Sequence, residues 1–129
     1  MSEKFTIEII SPDRTVIKTF ATEAIIPSFE GEMGILKGHI PLITFLRPGI
    51  IKIISDTEKN FFVEDGTVEF SNDNLLVLTS TAQELSGIDK NSIEALLKDA
   101  KTKLNNSDIT DKERYLLSYK IDTLKNINL

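Results

Sequence analysis

Cysteine is absent from these 129 residues, and histidine occurs once, at His39. A disulfide framework, a thiolate metal centre and a histidine cluster are all excluded on that ground. No apolar run is longer than four residues, too short for a membrane-spanning helix. Positive charge is in short supply: the net charge is −5, which argues against general nucleic-acid binding. The opening "MSEKFTIEII" carries charges at Glu3, Lys4 and Glu8 and does not read as a secretory signal, so the chain is expected to stay where it is made. Glycine and proline are missing altogether after Gly87, and tryptophan everywhere.

That last absence divides the chain. All four prolines (Pro12, Pro27, Pro41, Pro48) and all seven phenylalanines precede residue 71, whereas the aromatics beyond Gly87 reduce to Tyr115 and Tyr119. Turn punctuation stopping so abruptly marks a change of architecture. The charge divides too: residues 1–84 hold 7 Lys and Arg against 13 Asp and Glu, a net −6, and residues 85–129 hold 8 against 7, a net +1.

The front half has the grammar of short strands. In "FTIEII", Phe5, Ile7 and Ile9 alternate with Thr6 and Glu8. "SPDR" supplies a turn, with Pro12 fixing φ and Asp13 tolerating turn geometry. "TVIKTF", "EAIIP", "GIIKIIS", "NFFVED", "TVEF" and "LLVLTST" follow, with breakers between them every eight to twelve residues or so. That spacing predicts an antiparallel β-sandwich of about eight to ten strands over residues 1–86. The remainder, 87–129, has the grammar of helices. After Asp89, a candidate N-cap, Ile93, Leu96, Leu97, Ala100 and Leu104 recur on one face. "NNSD" interrupts, Thr110 and Glu113 form a capping box, and Leu117, Ile121 and Leu124 resume the stripe. The fold class is α+β, mostly β: a sandwich, then an antiparallel two-helix hairpin. Helices of about fifteen residues are marginal alone, so the hairpin must dock, either on the sandwich or on a partner.

The segment "EGEMGILKGHIPLITFLRPG", from Glu30 to Gly49, gathers four glycines, two prolines and the histidine. A phosphate loop needs lysine directly after its last glycine, but Lys37 precedes Gly38; a dinucleotide motif needs a different glycine spacing from that of Gly31, Gly34 and Gly38. A tight strand connection accounts for the glycines and prolines without any ligand. His39 has no local nucleophile and no second histidine beside it, so a structural hydrogen bond or a partner contact suits it better than general-base work; a small enzyme pairing His39 with Glu30 or Glu32 is the weakest reading.

Taken whole, "GEMGILKGHIPLITFLRPG" resembles the most characteristic string of the epsilon subunit of F-type ATP synthases, the subunit called delta in mitochondria. The matching residues are Gly31, Glu32, Met33, Gly34, Ile35, Leu36, Gly38, His39, Pro41, Leu42, Ile43, Thr44, Leu46, Pro48 and Gly49; Lys37 departs from the usual proline. Weaker echoes follow at Phe62, Val63, Gly66, Val68, Glu69 and Phe70, and at Val77, Leu78, Thr79 and Ala82. The order of a β half and a two-helix tail is that of the family.

The resemblance implies a non-catalytic central-stalk subunit without a cofactor or metal, peripheral to the cytoplasmic face of the inner (cell) membrane as part of the complex. The sandwich would sit at the foot of the gamma subunit against the membrane rotor ring, coupling ring rotation to catalysis, with no membrane insertion of its own. Glu30, Gly31, Glu32, Met33 and Gly34 would meet the ring, Glu32 from a loop, with a ring Arg or Lys as its natural partner. Ser11, His39 and Thr44 would face gamma. In many bacterial members the tail unfolds from the sandwich and inhibits ATP hydrolysis; here Lys112, Arg114, Lys120 and Lys125 could pair with acidic segments of the catalytic beta subunit, or form a solvated face with Asp111, Glu113 and Asp122. Some members bind ATP through an [IL]-D-x-x-R-A motif. This chain has Ile88 and Asp89 but Ser92 and Ile93 in place of Arg and Ala, so nucleotide binding is not expected. The alternative is a free-standing β-sandwich adaptor with a helical tail.

Overall fold

A computed structural model describes residues 3–127. Ten strands come first: β1 (Phe5–Ser11), β2 (Arg14–Ala21), β3 (Glu23–Ser28), β4 (Gly31–Leu36), β5 (Leu42–Leu46), β6 (Gly49–Ile54), β7 (Glu58–Val63), β8 (Gly66–Ser71), β9 (Asn74–Leu78) and β10 (Ala82–Glu84). A 3₁₀ turn at Leu85–Gly87 leads to α1 (Lys90–Leu104) and α2 (Asp111–Lys125).

The strands join in the order β10-β7-β6-β3-β5-β8-β9-β1-β2, with β4 on the free edge of β3. All pairings are antiparallel except β1 with β9. The join between β3 and β5 is one residue pair, Ser28 with Leu46, and there the sheet folds over. One layer is β4-β3-β6-β7-β10 and the other β5-β8-β9-β1-β2. Their inward residues make a single core: Phe5, Ile7 and Ile9 of β1 and Val68 and Phe70 of β8 meet Ile51 and Ile53 of β6 and Phe61 and Val63 of β7. This is the sandwich that the period-two pattern predicts.

The tight fold-over needs Gly49. A Cβ there would lie 2.5 Å from Pro27 Cβ, so only glycine admits this approach of β6 to β3. Gly31 serves the β3–β4 turn with φ +121°, and Ser28, fully buried, donates from Oγ to the Gly31 carbonyl at 2.7 Å.

Phe62 points away from the core between Phe61 and Val63 and packs with Ile93 of α1 and Leu124 of α2. Half-buried Ile50, its cross-strand partner, joins them with Leu96 and Leu97. The hairpin thus rests on the outer face of β6 and β7. Its caps are those expected: Asp89 accepts from the Ser92 N–H at 2.7 Å, and Thr110 with Glu113 makes the reciprocal box. The Glu30–Gly49 segment differs from the expectation of a connection, because it contains two whole strands, β4 and β5. Expected in a loop, Glu32 lies instead on β4 opposite Pro27.

Candidate interaction surfaces

Strand alternation sorts the predicted contact residues. Glu30 sits exposed in the β3–β4 turn, held by its N–H donating to Ser28 Oγ at 3.2 Å. Along β4, Glu32 and Gly34 face solvent, whereas Met33 turns inward, half-buried against the core. The hairpin therefore brings Glu30, Gly31 and Glu32 together at one end of the sandwich and offers their backbone and carboxylates, with the Met33 side chain withdrawn.

Ser11, His39 and Thr44 are each half-buried. Ser11 ends β1 and turns toward the Arg14 carbonyl at 3.4 Å. The His39 ring stands edge-on to Phe70 with centroids 5.9 Å apart, and its Nδ1 is 2.7 Å from the Ile40 carbonyl oxygen. A structural hydrogen bond and an aromatic edge fix the ring. Thr44 shares a face of β5 with Leu42 and buried Leu46.

The residues on either side of Thr44 point outward, and sequence reasoning missed them. Ile43 is 76% exposed, Phe45 59% and Leu78 46%, with Ile40 at 75% just before the strand. Register places Ile43 beside Glu69 and then Leu76, and Phe45 beside Thr67 and then Leu78, so a strip of apolar side chains on β5 and another on β9 flank Thr67 and Glu69 of β8 on one outer face. The signal was present: "LITFL" and "LLVL" are apolar on both strand faces, which an ordinary half-solvated antiparallel strand is not. The face continues into a groove of about 750 Å³ walled by Phe29, Phe45 and Leu78 on one side and by Lys112 and Leu116 of α2 on the other.

The four tail cations do not act alike. Lys120 is ion-paired with Glu64 at the end of β7, its side chain only 12% exposed. Lys112 edges the groove, and Arg114 and Lys125 are exposed. At the family's nucleotide motif, Ser92 gives its N–H to the Asp89 cap and Ile93 is buried beneath Phe62. The cap holds the Asp89 carboxyl below its ordinary range, first through the Ser92 N–H and then through the Ser92 side chain. Among the described residues, no group of three or more His, Cys, Asp or Glu is placed to hold a metal, and no helix is long and apolar enough to cross a membrane.

The architecture is a ten-stranded sandwich with an appended helical hairpin and exposed apolar side chains on one outer sheet face. A family model described as "ATP synthase, Delta/Epsilon chain, beta-sandwich domain" matches residues 4–85. The ATP synthase epsilon chain of Pelagibacter ubique is 54% identical over 130 residues, covering 99% of this chain and all of the relative. The chloroplastic ATP synthase epsilon chain of Guillardia theta is 41% identical, covering 84% of this chain and 82% of its own. Among solved structures, a chain of the Euglena gracilis mitochondrial ATP synthase, OSCP/F1/c-ring, aligns with a TM-score of 0.75 at 21% identity, over 95% of this chain and 78% of that one. A chain of the Tetrahymena thermophila mitochondrial ATP synthase central stalk/c-ring gives 0.62 at 12% identity, over 96% of both. The chain belongs to the ATP synthase delta/epsilon family. It is accordingly a subunit of the synthase and not an enzyme in itself, and the free-standing adaptor is not favoured.

Proposed function

We propose that the chain works on the rotor, clamped to the gamma subunit by its sandwich and touching the membrane ring with its β3–β4 hairpin, on the cytoplasmic face of the cell membrane. The observation that carries this is the exposure of Ile43, Phe45 and Leu78 on one outer sheet face, with Ile40 exposed just before β5. Large apolar side chains standing together on one sheet face are the mark of a protein docking site. His39, Thr44 and Ser11 lie on β1, β5 and the loop before it, so they border this face and position it more than they fill the contact. Glu30 and Glu32, exposed at the hairpin tip, suit cationic loops of the ring.

The two halves are working units of different kinds under this proposal, residues 1–86 as the rotor-binding body and 87–129 as the regulatory tail. In the docked position Lys120 is engaged by Glu64, so it becomes available to an acidic segment of the beta subunit only after the hairpin leaves. Lys112, Arg114 and Lys125 need no such release. Two experiments test the proposal. The chain should co-purify with gamma and remain bound when shortened after Gly87; loss of binding on shortening would move the clamp to the tail. ATP hydrolysis by the reconstituted complex should rise when the tail is removed, and unchanged hydrolysis would mean that it is no brake.

A further inference from the structure

We infer that Arg47 is the centre of a latch that holds the helical hairpin against the sandwich. The apolar cluster between the halves is smaller than the core between the sheet layers: its buried members are Phe62, Ile93 and Leu124, with half-buried residues such as Ile50, Leu96 and Leu97 around them. Beyond that cluster, the far end of α2 meets the sandwich through a different kind of chemistry. The Arg47 guanidinium lies 3.9 Å from the centre of the Tyr119 ring, and its Nη1 donates to Tyr115 Oη at 3.3 Å. Tyr115 in turn stacks on Phe29 with centroids 5.8 Å apart and planes 11° from parallel.

Local structure preorganises both sides. Tyr115 and Tyr119 are four residues apart on α2, hence on one face, and their rings touch edge to face at 4.8 Å. They are the only aromatics of the tail. Arg47 sits between β5 and β6, where its N–H donates to the Pro27 carbonyl at 3.0 Å and Pro48 follows, so the backbone that presents it is rigid. Among the described residues the ion pairs are Lys103 with Asp99 and Lys120 with Glu64, so the Arg47 charge is directed at ring faces and a phenol, not at a carboxylate. A guanidinium stacked on a ring is stabilising by enough to shift a two-state equilibrium by on the order of tenfold. In a hairpin whose helices are marginal alone, that shift falls on docking and not on the fold of the sandwich.

The inference deepens the proposed mobility of the tail, and rests on it only for the consequence inside the synthase. Its test uses the isolated full chain: amide hydrogen exchange in Arg47→Ala, in Tyr119→Leu and in the double variant. Each single substitution should speed exchange of the α2 amides about tenfold while β6 and β9 amides keep their protection. The double variant should be little worse than either single one, because both remove the same contact. Arg47→Lys, which keeps a cation over the ring, should restore part of the protection. Unchanged α2 exchange in both single variants would overturn the latch, and so would effects that simply add in the double variant. Tyr119→Leu lies outside the sandwich, so its result stands even where substitution of Arg47 disturbs the β5–β6 connection.

Discussion

At the scale of the residue, the features that sequence exposes most clearly are those set by near neighbours. Asp89 and the Thr110–Glu113 box were legible because a cap is recognised by residue type over three or four positions. Each makes a prediction. The Asp89 carboxyl has its pKa lowered in the folded chain, chiefly by the Ser92 N–H, so its stabilisation is complete above the ordinary carboxylate range. It declines as pH falls below that range and is gone once pH has passed through the depressed folded value, because protonation removes the charge that strengthens the Ser92 N–H bond. Acid titration followed by exchange of the first α1 amides should therefore show loss of cap protection completed at a pH below that at which free aspartate titrates. Thr110→Ala should weaken α2 by about 1 kcal/mol without changing the sandwich. Gly49 is equally local in effect but was not legible as a packing constraint, since its neighbour Pro27 is remote in sequence. Gly49→Ala places a methyl 2.5 Å from Pro27 Cβ, and thermal unfolding should show a loss of about 1–3 kcal/mol.

At the scale of the element, seven of the ten strands could be traced to alternating or β-rich runs, but β4, β5 and the three-residue β10 were hidden. Gly31 and Gly34 leave β4 with apolar side chains on its inward face only at Met33 and Ile35, a pattern too short to declare itself. β5 carries apolar residues on both faces, which erases alternation, and the same property made Phe62 hard to separate from Phe61 and Val63. In β5 and β7 alike one face serves the core and the other carries apolar side chains on a second surface. For Phe62 that surface is the hairpin. Phe62→Ala should cost about 3 kcal/mol of docking, read as α1 and α2 exchanging ahead of the strands, with the sandwich unfolding at nearly its original temperature. Simultaneous loss of both halves in a single transition would show that they are one cooperative unit.

At the scale of the molecule, the architecture followed from where glycine and proline stop, and the family from one string of residues. Where the hairpin docks could not be read, because it depends on pairs distant in sequence: Lys120 with Glu64, Tyr119 with Arg47, Leu124 with Phe62. The apolar outer face was unread for a related reason, since its members share that face only through the β5-β8-β9 register. The same organisation explains why Ser11, His39 and Thr44 look less like contact residues in space than in sequence: each is half-buried, and the exposed apolar surface lies beside them.

The affinity of the chain for the gamma subunit, wild type against Ile43→Asp, tests the central claim most directly. Ile43 is 76% exposed, so the charge should leave the fold intact while placing a carboxylate in the middle of the proposed contact. Binding should weaken by at least about 2 kcal/mol, roughly thirtyfold in Kd, as for a central anchor residue. Affinity equal to that of the wild type would contradict the account, because the shaft would then grip some other face of the sandwich.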